Sequence, residues 1–271
     1  MSWRVAAGLL ALAAGAVLPG DGGSQSRNSA KSAIRNPQSA IASASAPEPQ
    51  LVLWAWERPE DLRFAGPDTG VAFLARTVFL RGGEVSVQPR LQPLRFADGA
   101  PLIAVVRVET DRAQPPSLAG AQRAKAAAAI GEAARLPGIV SLQVDYDATV
   151  SERAFYAGLL RDLRRQMPPG VGLSITALAS WCSGDRWLTG LPIDEAVPML
   201  FRMGPDRRPI LLHLETGGDF SEPACRHSLG ISTDEPMKLP RLPPRRLWVF
   251  HPRPWSPAAL QELRKVLGVG N

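Results

Sequence analysis

Only two cysteines, Cys182 and Cys225, occur in the 271 residues, and the three histidines, His213, His227 and His251, stand far apart. There is no Cys-x-x-Cys pair, so a zinc framework is missing and no metal is expected. Neither a G-x-G-x-x-G nor a G-x-x-x-x-G-K-[ST] loop follows any apolar run; nucleotide binding is thereby disfavoured, and no cofactor is expected. A G-x-S-x-G elbow is also absent, which argues against a serine hydrolase of the common α/β type. Lysine is scarce, four against 27 arginines, and the net charge of +6 is spread along the chain. The densest basic clusters, Arg161, Arg164, Arg165 and Arg241, Arg245, Arg246, make no continuous stripe, so a nucleic-acid partner is not expected. Beyond residue 20 no apolar run reaches the length of a membrane span.

What is present begins with an address. Arg4 precedes an apolar stretch from Val5 to Leu18 that closes at Pro19-Gly20. That order is the layout of a secretory signal, with a short N-terminal anchor as the alternative for residues 1–20. Apart from such an anchor no membrane partner is expected. From 21 to 50 the composition turns to Ser, Ala, Asn, Gln and Pro, and Ser-Ala-Ile recurs at 32–34 and 39–41. Such a segment cannot bury enough apolar surface to offset its ordering entropy, so residues 21–50 are expected to be a disordered linker ahead of a domain over 51–271. Export, to the periplasm or the cell exterior, would permit Cys182 and Cys225 to pair. Two buried free thiols are the alternative.

Short apolar runs with turn signals between them predict about eight strands: 51–56, 70–80, 102–108, 139–146, 172–178, 196–203, 210–214 and 247–250. Several are continuously apolar, as strands covered on both faces are. Helical patterns fall at 117–135, 151–166, 185–191 and 256–267, the last with Ser256 as N-cap before Pro257. The stretch 82–100 reads as a hairpin or extended excursion. Together these predict a single, partly irregular (β/α)8 barrel, with a doubly wound open sheet as the runner-up.

The segment Val140-Ser141-Leu142-Gln143-Val144-Asp145-Tyr146-Asp147 alternates, so Ser141, Gln143, Asp145 and Asp147 share one face. A barrel interior made only for stability would hold Val or Leu there, and two acids at i and i+2 can raise each other's proton affinity. Asp145 and Asp147 are therefore the candidate catalytic pair, with a structural network to an inward Arg107 or Arg202 as the rival. Trp54, Trp56, Trp181 and Trp255 fall near strand ends, where flat rings can stack on sugar C–H faces. Glu57, Gln143, Asp185, Met199, Phe201 and Arg202 complete the expected binding set. Glu57 and Glu109 are the candidates for a second carboxylate. His213 and Glu215 are expected on one strand face, without a third ligand.

On these residues the chain resembles known proteins. Leu142-Gln143-Val144-Asp145-Tyr146-Asp147 resembles the D-G-x-D-x-D-x-E strand of chitinase-like glycoside hydrolases of family eighteen, with Asp147 at the acid position. Pro198-Met199-Leu200-Phe201-Arg202 is similar to their sixth-strand M-x-Y-[DN]. Val140, Phe201 and Arg202 depart from that pattern. Over 53–57, 144–148 with 151–153, 179–182, 198–204 and 232–236 the chain also resembles a bacterial family, the domain of unknown function 3142. The resemblance implies a barrel acting on a glycan or other small polar ligand, with carboxylate general-acid chemistry. The departures motivate the alternative, a carbohydrate- or peptide-binding envelope protein without catalysis.

Overall fold

The computed structural model describes residues 50–237 and 242–268, all within one compact unit, Ser45–Asn271. The expectations for 1–20 and for 21–50, Gln50 apart, lie outside the described residues. In chain order the strands are β1 (Leu51–Ala55), β2 (Glu60–Leu62), β3 (Thr69–Arg81), β4 (Glu84–Pro89), β5 (Leu94–Phe96), β6 (Leu102–Thr110), β7 (Ile139–Asp145), β8 (Gly172–Leu178), β9 (Glu195–Met199), β10 (Ser228–Ser232) and β11 (Arg246–Phe250). The helices are α1 (Gly120–Gly131), α2 (Arg153–Gln166), α3 (Ala179–Cys182), α4 (Arg207–Glu215) and α5 (Pro257–Leu267).

Eight parallel strands, β1, β3, β6, β7, β8, β9, β10 and β11, close into a barrel, because β1 pairs with both β11 and β3. β4 adds antiparallel to the upper half of β3, and β2 pairs with β5 in a separate two-stranded sheet. Each strand sends alternate residues outward. Leu142, Val144, Leu173 and Ile175 thus meet Phe155, Tyr156, Leu159 and Leu160 of α2 in the main apolar layer, while Leu53 and Val249 pack with Leu260 and Leu263 of α5 in a second. α5 is fixed at its start by the Ser256 hydroxyl, which accepts from the Ala259 amide at 3.2 Å, with Pro257 in its first turn. Among the described residues no helix is long and apolar enough to cross a membrane.

The barrel interior is filled. Val52, Trp54, Ile103, Val105, Val197, Trp248 and Phe250 form its apolar plug. β10 explains how two indoles fit. Its inward positions are Ser228, Gly230 and Ser232, and a Cβ on Gly230 would stand 3.2 Å from the Trp54 ring. The Ser228 hydroxyl accepts from Trp248 Nε1 at 3.1 Å.

Three expectations are corrected here. Residues 210–214 are not a strand but part of α4, where Ile210 and Leu214 are buried one turn apart and Leu212 faces solvent. A short leucine-rich run fits either periodicity, and helical spacing of the buried pair decides it. The seventh barrel strand is instead β10, whose Ser-Leu-Gly-Ile-Ser carries too little apolar surface to stand out. Consequently His213 and Glu215 do not share a strand face; the His213 ring contacts the Asp219 carbonyl at 3.1 Å. The helix expected at 185–191 shortens to one 3-10 turn, Arg186–Leu188. Cys182 and Cys225 form a buried disulfide with Cα atoms 5.9 Å apart, which ties α3 to the turn before β10.

Candidate active site at the barrel mouth

Strand β7 delivers its polar face as its alternation demands. Above Ser141 stands Gln143, fully buried, whose side-chain carbonyl accepts from Trp54 Nε1 at 2.9 Å. This bond satisfies both a buried amide and a buried indole, so Trp54 and Gln143 belong to the floor beneath the opening. One step higher Asp145, 5% exposed, accepts the Thr176 hydroxyl of β8 at 2.7 Å and Arg107 Nη1 of β6 at 2.7 Å. Just past the strand end Asp147 has its carboxyl half-exposed, 3.8 Å from Arg107 Nη2.

Arg107 is the hub. Its Nε donates to Glu109 at 3.0 Å, so one guanidinium touches three carboxylates, and it lies 6.0 Å from the centre of the Trp56 ring. Those charges hold Arg107 firmly protonated, Asp145 foremost. The Asp147 carboxyl is pushed up to about 6 by its partial removal from water and by the neighbouring Asp145 charge, against an opposing pull from Arg107. A carboxylic acid that is half-protonated near pH 6 and still reaches solvent can act as a general acid just below neutral pH. Glu109 and Asp147 sit along one guanidinium, which keeps their oxygens within about 9 Å of each other. The position of Asp147 is fixed from behind. Tyr146 is buried against Tyr156, and the Glu152 carboxylate accepts from both the amide and the hydroxyl of Thr149 at 2.7 and 2.9 Å.

Across the mouth β9 ends at Met199, half-buried, followed by Phe201, which stacks parallel to Phe250 with centroids 5.9 Å apart. Trp56 meets Phe250 edge-on at 6.5 Å. Arg202 adopts a left-handed backbone (φ 55°), unusual for a side chain with a Cβ. Its amide donates to Glu235, and its guanidinium lies over Phe250 and reaches Asp234 at 3.4 Å.

The remaining expected residues lie elsewhere. Glu57 accepts from the backbone amides of Leu91 and Gln92, bracing the segment after β4. Trp181 is buried in the outer layer against Trp187. Asp185 is paired with Arg153 at 2.6 Å in the same region. Trp255 is buried outside β1, its indole donating to the Trp54 carbonyl at 3.0 Å. Thr176 and Phe250, unnamed in the sequence reading, join the mouth. The alternation Ser174-Ile175-Thr176 signals the first of these, whereas a lone Phe in Leu-Trp-Val-Phe signals nothing. Surface depressions of about 560 Å3 beside α4 and about 500 Å3 beside Phe64 and Trp255 share no residue with this cluster. Among the described residues no group of three or more metal-ligating side chains is gathered.

No curated protein matches the chain. A solved structure, described as "putative Chitinase A from Streptomyces coelicolor", aligns with a TM-score of 0.49 and 12% identity over 80% of this chain and 95% of its own. The segment running from just before β6 to the end of β9 holds Arg107, Glu109, Asp145, Asp147 and Thr176. That segment, residues 98–199, matches the family model of the Domain of unknown function (DUF3142).

Proposed function

We propose that this chain is an exported glycan-active barrel that cleaves a glycosidic bond, with Asp147 as general acid. The observation that carries the proposal is the half-exposed Asp147 carboxyl, raised to about 6 beside the buried Asp145–Arg107 pair. Asp145 does not reach the substrate in this scheme. It keeps the proton on Asp147 by its charge, and Thr176 and Arg107 hold it in place. Protonated Asp147 gives its proton to the leaving glycosidic oxygen while water attacks the sugar carbon. Glu109, on the same guanidinium, takes the proton from that water. Glu109 serves here better than Glu57, whose carboxylate is already engaged with backbone amides. Both carboxylates contact the Arg107 guanidinium, Glu109 at 3.0 Å and Asp147 at 3.8 Å, which brings an acid and a base to the same mouth. Trp56 and Phe201, both half-buried, supply ring faces at the mouth with Phe250 buried against them, and Met199 and Arg202 flank them. Export agrees with the buried disulfide, because such bonds persist in oxidising compartments.

The test is a reducing-end release screen of the purified chain on a panel of polysaccharides, run beside Asp147→Asn. That substitution keeps the shape of the side chain and removes its proton donor. Release by the parent chain and its loss in the variant are expected, with thermal unfolding unchanged. Equal release by both would sink the role of Asp147. Saturable binding by both without release would instead support a glycan-binding barrel.

A further inference from the structure

The barrel rim is uneven. β1 ends at Ala55, opposite Phe73 of β3, and β7 ends at Asp145, opposite Arg107 of β6. β3 nevertheless continues to Arg81, β6 to Thr110, and β4 pairs along the upper half of β3. These three strands therefore stand roughly 10 to 25 Å above the rim as a wall on one side of the mouth.

The two faces of this wall differ in chemistry. Val78, Leu80, Val106 and Val108 are buried with Ala126, Ala127 and Ile130 of α1, and Val85 packs on the same layer. Alternation then turns Thr77, Phe79, Arg107 and Glu109 to the opposite face, the one on which Arg107 meets Asp145. The registers make two cross-strand rows on that inner face. Arg107 lies opposite Thr77 and Thr77 opposite Gln88; Glu109 lies opposite Phe79 and Phe79 opposite Ser86. Gln88 and Ser86 are exposed and Phe79 is half-buried, with Arg81 over its ring at 5.2 Å. The rows begin at residues of the mouth cluster and end at the outer strand.

We propose that this inner face of the β4–β3–β6 wall binds the extension of a linear glycan chain whose reacting unit lies at Asp147. The inference rests on the glycan-active reading of the mouth and adds a polymeric substrate to it. An aromatic ring among amides and hydroxyls matches what a sugar presents, C–H faces and hydroxyl groups in alternation. Continuity with Arg107 and Glu109 fixes where the chain enters. With strands about 4.8 Å apart, the face from β6 to β4 spans roughly 10 Å, room for about two sugar rings beyond the mouth.

The test uses the full chain and linear oligomers of glucose, xylose and N-acetylglucosamine, short (two or three units) and long (six or more), with affinities read by calorimetry. Long oligomers of at least one series should bind about tenfold tighter than short ones. Phe79→Ala and Gln88→Ala should each erase most of that gain and leave short-oligomer affinity unchanged. Phe79→Leu keeps apolar volume and should behave like Phe79→Ala, which separates lost stacking from a damaged fold. Equal affinity for long and short oligomers, a gain that survives these substitutions, or binding of no oligomer would overturn the proposal. Asp147-dependent release with length-independent binding would overturn the wall alone. Wall-sensitive binding with no release from any oligomer would overturn only the hydrolytic role of the mouth.

Discussion

Replacing Arg107 by Met should be the most damaging single change at the mouth, and its size follows from what it strands. Asp145 is 5% exposed and keeps only the Thr176 hydroxyl once the guanidinium is gone. Removing one member of a buried ion pair leaves an uncompensated charge and costs about 3–5 kcal/mol. For a domain of this size each kcal/mol moves the melting temperature by about 2–4 °C, so a drop of roughly 6–20 °C is expected at pH 7. Urea denaturation and calorimetry would read both numbers. Substituting both partners, Arg107→Met with Asp145→Leu, removes the stranded charge and should restore most of the loss, with a coupling energy of about 2 kcal/mol or more. The Asp147 carboxyl should rise further above 6 in Arg107→Met, because the guanidinium that opposes its rise is absent; a carboxyl-carbon titration by NMR would follow it. A loss below about 1 kcal/mol in the single variant, or simple additivity in the double, would refute the hub role of Arg107.

Three further outcomes are expected. Turnover should fall as pH rises through about 6, since the protonated Asp147 is the working form, and a pH–rate profile that climbs above 7 would exclude it. At the opposite end of the barrel Glu195 is buried with the Ser228 hydroxyl and Arg246 Nη1, and burial raises its carboxyl from 4.5 to about 7. Its folded value lies above its unfolded one, so the stability it confers is complete below about 4.5 and is lost as pH rises through 7. The change is about 3 kcal/mol, and Glu195→Gln should flatten it in denaturation measured from pH 4 to 8. Replacing both Cys182 and Cys225 by Ser opens a loop of 43 residues and should lower stability by about 4 kcal/mol at constant pH; a change under 1 kcal/mol would show that the bond adds little beyond packing.

The legible parts of the chain were those in which one rule acts alone. The β7 alternation placed Gln143, Asp145 and Asp147 on the inner face because a strand has only two faces. Short apolar runs between turn signals marked seven of the eight barrel strands, several of them continuous because a covered strand is apolar on both sides. β10 escaped because its inward positions are small, and they are small because Trp54 and Trp248, distant in sequence, claim the space. The tryptophans misled for a related reason. Strand-end position brings a ring near the mouth in height, but whether it faces the opening or the helices depends on neighbours; Trp181 and Trp255 face the outer layers. Arg107 could be named only as one of two candidate partners, since its pairing with Asp145 is a matter of cross-strand register. The length of β3 was legible in its run from 70 to 80, but the wall was not, because the pairing of 84–89 with its upper half is a matter of cross-strand register and that stretch read only as an excursion.

Ring closure through β1 also sets an order of events. Leu51 lies opposite Leu247 and also opposite Thr69, so the first strand of the barrel is flanked by its second and its last. In a chain made from its N-terminus, β1 can acquire β3 early but keeps one edge of unpaired amides and carbonyls until β11 has been synthesised. Long-range parallel pairing of this kind is slow, and an open strand edge invites association with other chains. The time during which this protein is most vulnerable to aggregation therefore ends only with the arrival of its last strand, and truncations before Arg246 should leave that edge open for good.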